Sequence, residues 1–166
     1  MQRLLIGLVA VGVAALAFLA SFALAAAVPP PAPVAALHYL VGTWHCTYRS
    51  GATRFAYDAT WAYDRDGHTV RETTSWAGGG GDEELLAYDP QHHGWTAVIV
   101  EDQGATTILH GSGSDANHIP LRSVYPDAGI AESLARVSAT EYAIHATVRA
   151  AGKATISADT CLRATP

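Results

Sequence analysis

Phe55-Ala56-Tyr57-Asp58-Ala59-Thr60-Trp61-Ala62-Tyr63 places Phe55, Tyr57, Ala59, Trp61 and Tyr63 on one parity and Asp58 and Thr60 on the other. Side chains alternate across a strand, so a period of two puts the aromatic residues on one face and the polar ones opposite. The segment reads as a half-buried β-strand. Upstream, Trp44, Cys46 and Tyr48 alternate with Thr43, His45, Thr47 and Arg49. Late in the chain, Tyr142, Ile144, Ala146 and Val148 alternate with His145, Thr147 and Arg149 in the same way.

Turn chemistry separates these runs. Asp64-Arg65-Asp66-Gly67, Asp89-Pro90-Gln91-His92-His93-Gly94, Asp102-Gln103-Gly104, Gly111-Ser112-Gly113-Ser114-Asp115 and Ala150-Ala151-Gly152-Lys153 all carry turn formers. Gly supplies positive φ, and Asp and Asn bond their own backbone. The reading is about ten strands, near 43–49, 53–63, 68–76, 83–89, 95–102, 105–111, 117–125, 131–138, 141–149 and 154–163. The segment 128–137 is the weakest of these, and residues 35–41 are expected to make one helical turn before the first strand. Short connections pair sequence neighbours antiparallel. An open sheet of this breadth would leave exposed edges, which closure removes. The fold class is therefore all-β: a single antiparallel up-and-down barrel of about ten strands.

Closure makes a register prediction. In an antiparallel pair, facing residues have a constant index sum. Cys46 with Cys161 and Trp44 with Arg163 share one sum, so one register of the first strand on the last aligns both pairs. It sets a cation beside an indole, a favourable contact. The same register places Asp159 opposite Tyr48, which requires either a polar wall or a bulge. Cys46 and Cys161 are the only cysteines. In an oxidising compartment they are most simply a disulfide, against the alternatives of free thiols or a metal pair with only His45 alongside.

The chain has 166 residues, is 49% hydrophobic and 15% charged, and has a formal charge of −5. Arg3 is the only Lys, Arg, Asp or Glu among the first 47 residues, which leaves about −6 on the rest. That balance excludes a basic nucleic-acid face, and the low charge with high apolar content excludes disorder. Met1-Gln2-Arg3, the uncharged run Leu4–Val28 and Ala23-Leu24-Ala25-Ala26-Ala27 have the pattern of a signal peptide over residues 1–27, cut after Ala25 or Ala27. An uncleaved anchor is the alternative, because the run is long enough to span a bilayer. Residues 28–35, rich in Pro and Ala, read as an extended linker, and 36–164 as the barrel domain. The expected destination is secreted or periplasmic, the expected state is a monomer, and membrane contact follows only if the first segment is kept.

Leu40-Val41-Gly42-Thr43-Trp44 resembles the Gly-x-Trp opening of the lipocalin and calycin barrels. The resemblance implies that Trp44 plugs the closed end under Arg163. Ala87-Tyr88-Asp89-Pro90, Trp95 to Val100 and Glu101-Asp102-Gln103-Gly104 are similar to the small bacterial lipocalin-like domains of unknown function, the nitrobindin-related group. The Thr-Asp-Tyr element of true lipocalins is not present. Haem-binding relatives use a His near the end of the barrel; His145 is the nearest, but its parity is opposite to the Tyr142/Ile144 face. No cofactor is expected.

A barrel of this size holds one small ligand. The candidate contacts are Tyr48, Tyr57, Trp61, Trp76, Trp95 and Tyr142, any one of which is equally accounted for as core filling. Four Trp and seven Tyr against three Phe favour rings with a polar handle, as at half-apolar cavity walls. Glu72 shares parity with Val70, Thr74 and Trp76. If that face is inward, Glu72 is a buried acid with a raised pKa, a ligand anchor or general acid; if a bulge intervenes it faces solvent, and with the opposite face inward Arg71 takes its place. Of eight histidines, adjacent His92 and His93 point apart and rarely share a metal, and His45, His68, His110, His118 and His145 lie on different strands, where a metal site would need two or three to converge in the barrel; none is assigned as a ligand. Gly78-Gly79-Gly80-Gly81 is followed by Asp82-Glu83-Glu84 and a strand, which suits a flexible hairpin loop and not a phosphate cradle. No Gly-x-Ser-x-Gly elbow occurs, and no catalytic residue is assigned. The primary expectation is an exported protein that binds a small hydrophobic ligand. The alternatives are an enzyme using an acid inside the barrel, or an envelope protein-interaction module.

Overall fold

A computed structural model of the chain describes residues 31–64 and 67–165. The signal-or-anchor segment, the start of the linker and two residues of the expected Asp64–Gly67 turn lie outside the described residues. Ten strands follow one another: β1 (Gly42–Ser50), β2 (Thr53–Tyr63), β3 (Thr69–Trp76), β4 (Asp82–Asp89), β5 (Gly94–Glu101), β6 (Thr106–Ser112), β7 (His118–Tyr125), β8 (Ile130–Arg136), β9 (Glu141–Ala150) and β10 (Lys153–Arg163). Each pairs antiparallel with its sequence neighbours, and β10 closes on β1, so the sheet is a closed up-and-down barrel. Segment 128–137, the least periodic in sequence, is β8, held between β7 and β9.

The seam has the register that the index sum requires. Trp44 faces Arg163, Cys46 faces Cys161 and Tyr48 faces Asp159. The two cysteines are joined as a disulfide, 115 residues apart in sequence. No bulge interrupts the seam, so the Tyr48–Asp159 pairing reflects a polar stretch of inner wall.

One end of the barrel is stoppered. Ala32–Ala35 forms a helical turn, α1, which continues as a 3-10 turn over Ala36–Tyr39. The extended linker expected through residue 35 therefore ends earlier. Proline suits the first turn of a helix, where its missing N–H has no partner to lose, and burying Val34 stabilises the turn against the core. Leu37 and Leu40 are also fully buried there. Below them Trp44 donates its indole N–H to the Leu40 carbonyl at 2.6 Å. The Arg163 guanidinium lies 4.3 Å from the Trp44 ring, donates to the Val41 carbonyl at 2.9 Å and also bonds the Tyr39 carbonyl. Gly42 has φ +132°, and a Cβ there would meet Arg163 Nη1 at 2.8 Å. The Gly of Gly-x-Trp is thus required by backbone conformation, and any side chain there would also displace the arginine head group.

Candidate functional site

The plug and the cavity are stacked along the barrel axis. Nearest the plug, Trp44, Trp61, Trp95 and Tyr142 are fully buried. Tyr142 meets the Trp44 ring edge-on at 4.8 Å and the Trp61 ring at 6.2 Å. Beyond this layer, toward the end bearing the β1–β2, β3–β4 and β9–β10 turns, is a cavity of about 240 Å³. That is below the roughly 300–1,000 Å³ of drug-sized sites, so it suits a compact ligand.

Of the seven predicted ligand contacts, Tyr48, Tyr57, Glu72 and Trp76 line this cavity. Trp61, Trp95 and Tyr142 do not; they make up the packed layer underneath. Their parity is inward as expected, but parity carries no information about depth along the axis. Each sits on the plug-side part of its strand. Phe55, which shares parity with Tyr57, also lines the cavity and was missed; it is 41% exposed, at the rim. Cross-strand pairing builds the aromatic wall. Tyr48 stacks on Phe55 at 4.8 Å, and Phe55 meets Trp76 edge-on at 6.4 Å.

Glu72 faces inward and is 4% exposed, with no bulge at its position in β3. Arg71 points outward, bonding Asp64 and Glu83. Glu72 has company. Asp82, Glu84, Glu132 and Asp159 also line the cavity, so β3, β4, β8 and β10 all present carboxyls to it. Only Glu72 and the polarity at Asp159 were anticipated. The signal for the others is parity: Asp82 and Glu84 alternate in phase with buried Leu86, and Glu132 with buried Leu134.

Two carboxyls are supported by phenols. Trp61 donates to the Tyr142 hydroxyl at 3.0 Å, which donates to Glu72 Oε1 at 3.1 Å. Tyr57 donates to Asp159 at 3.0 Å. Asp82 bonds the Thr74 hydroxyl. Glu84 is 6% exposed, and neither it nor Glu132 accepts a hydrogen bond from any described residue. Glu72 and Glu84 are direct cross-strand partners, a pairing of like charges that ordinarily destabilises a sheet.

Burial dominates the electrostatics. Loss of water, then the Asp82 charge, pushes the Glu72 carboxyl up to about 8. Burial and neighbouring Glu132 and Glu72 hold Glu84 well above the usual carboxylate range. Burial, with Asp159 and Asp82 adding, raises Glu132 to about 7. Burial raises Asp159 to about 6, although the Tyr57 hydrogen bond opposes it. The Tyr57 and Tyr142 phenols are pushed up by burial first and by these carboxyls second, so both remain donors. Groups that share a cavity this way change protonation near neutral pH, where a ligand's charge decides the balance.

No protein-family model matches the chain. No curated protein matches it either. Among solved structures, Rv2717c from M. tuberculosis is similar at 19% identity and a TM-score of 0.57, over 82% of this chain and 99% of that one. The S-type phycobiliprotein lyase CPES from Guillardia theta is similar at 13% identity and a TM-score of 0.51, over 80% of this chain and 92% of that one. At these identities the likeness is one of fold alone.

Proposed function

We propose that this chain is an exported binding protein that holds a small ligand with an apolar body inside its barrel. The observation that carries the reading is the aromatic-walled cavity of about 240 Å³ in a barrel stoppered at the far end by Trp44, Arg163 and the helical turns. Export is supported by the pattern of residues 1–27 and by a disulfide, which persists in oxidising compartments. Kinship with the nitrobindin-related group is supported by the matches at residues 40–44 and 87–104. The similarity to a phycobiliprotein lyase is in keeping with a small-molecule site in this fold.

Trp76 in the cavity wall is the natural reporter. Titration with naphthalene should quench its fluorescence saturably, and Trp76→Phe should remove most of that signal. Quenching that never saturates, or that persists unchanged in Trp76→Phe, overturns the reading.

One observation favours a second reading, an enzyme with Glu72 as general acid. The cavity brings together titratable groups, and Glu72 at about 8 holds its proton at neutral pH beside Tyr142. Bound ligands recovered chemically altered from the wild type but intact from Glu72→Gln would support it; ligands recovered intact from both would exclude it for those compounds.

A further inference from the structure

We propose that the cavity is built for a small organic cation: a protonated amine on an apolar or aromatic body, its charge among Glu72, Glu84 and Glu132 and its body against Tyr48, Phe55 and Trp76. The inference rests on the binding reading above and names the chemistry of its ligand.

Three observations converge on it. The first is the sign of the wall. Five carboxyls from four strands face one half-open cavity, and no Lys, Arg or His among the described residues lines it. An anionic ligand would meet only like charge there. The second is Glu84. The residue is 6% exposed, lines the cavity and is supported by no side-chain hydrogen bond from the described residues. A buried polar group without a partner costs stability, and a cross-strand neighbour of like charge adds to the cost. A leucine at this position would simply fill the barrel, so the acid is explained by what it meets when the cavity is occupied. The third is the aromatic wall. Ring faces attract cations as well as apolar surface, and the attraction strengthens away from water.

The geometry also selects among cations. No three His, Cys, Asp or Glu side chains among the described residues come together as a metal site. The acids come from β3, β4, β8 and β10 and surround the space an ammonium would take, and the rings of Tyr48, Phe55 and Trp76 are left to its hydrocarbon body. Binding such a cation favours the ionised acids, so it must expel protons and tighten as pH rises toward 8. The ionisable groups that face the ligand are Glu72, Asp82, Glu84, Glu132, Asp159 and Tyr57, and the titration is carried by Glu72, Glu84, Glu132 and Asp159. Tyr48 lines the same wall, and Tyr142 acts from beneath through Glu72. His145, on the outer face of β9, lowers the Asp159 pKa slightly.

The test is calorimetric titration of the purified protein with three compounds of one shape: phenethylamine, phenethyl alcohol and hydrocinnamate. Phenethylamine should bind at least about tenfold tighter than the alcohol near pH 8, equivalent to ~1.4 kcal/mol, with the margin shrinking toward pH 5. Glu84→Gln should remove about tenfold of the amine affinity and leave the alcohol unchanged. Glu132→Gln, on a separate strand, should act in the same direction, which guards against misfolding of either variant. If the alcohol or hydrocinnamate binds as tightly as the amine, or if both variants bind the amine like the wild type, the cation inference falls and the binding reading stands. If none of the three binds saturably, both fall.

Discussion

At the scale of single residues, Glu84 has the largest consequence. Its folded-state pKa is raised, so the folded protein keeps a proton that the unfolded chain releases. Stability from this group is full below the ordinary carboxylate pKa and is lost as pH rises toward the folded value. Glu84→Gln keeps the shape and cannot titrate. We expect the variant to match the wild type in thermal melts near pH 4 and to melt several degrees higher near pH 8, since ~1 kcal/mol moves Tm by about 4 °C in a domain of this size. An equal or lower Tm at pH 8 would mean that Glu84 gains a partner in solution. Arg163 is the opposite case, a charged residue with partners in place. Arg163→Met leaves the Val41 and Tyr39 carbonyls without their donor and the Trp44 ring without its cation. A loss of ~2–3 kcal/mol should follow, read as a fall in Tm with the strand signature in circular dichroism retained.

At the scale of elements, the β1–β10 seam decides whether there is a cavity. Six backbone pairs run along it, and the disulfide sits within them. A cross-link over 115 residues restricts the unfolded chain by up to about 4–5 kcal/mol. The Cys46→Ala/Cys161→Ala double variant should therefore lose much of the stability and still close, because the hydrogen-bonded register and the Trp44 plug remain. Hydrogen exchange checks this: amides of β1 and β10 should stay protected relative to the turns. The seam was readable from sequence, since antiparallel register is arithmetic and two chemically matched pairs shared one sum. The helical stopper was only partly readable. Its 3-10 turn fell where a turn was expected, but the helical turn before it, at Ala32–Ala35, followed from Val34 reaching the core, which composition does not reveal.

For the whole molecule, the acids act together. Glu72, Glu84, Glu132 and Asp159 are all raised, and each makes the folded state bind more protons than the unfolded one. Where the folded state holds more protons, stability falls with pH. The ligand-free protein should be most stable in mildly acidic solution and lose Tm progressively between about pH 5 and pH 8, the window set by ordinary carboxylates at one end and Glu72 at the other. A melting profile that is flat or rises across that window would show the acids to be better solvated than their burial implies.

Period two, turn chemistry and the matched ends of the chain were enough to determine ten strands, their order and the closing register, while the plug of Trp44 under Arg163 was what the Gly-x-Trp resemblance implied. These depend on local alternation and on hydrogen-bond geometry that repeats every two residues. Depth along the barrel axis and the meeting of acids from distant strands were decided only by the tertiary structure. Parity tells inward from outward, so Trp61, Trp95 and Tyr142 were indistinguishable from Tyr57 and Trp76 until the stagger of the strands set their heights. Glu72, Glu84, Glu132 and Asp159 share one solvent-poor space only because closure wraps the strands that carry them around a single axis.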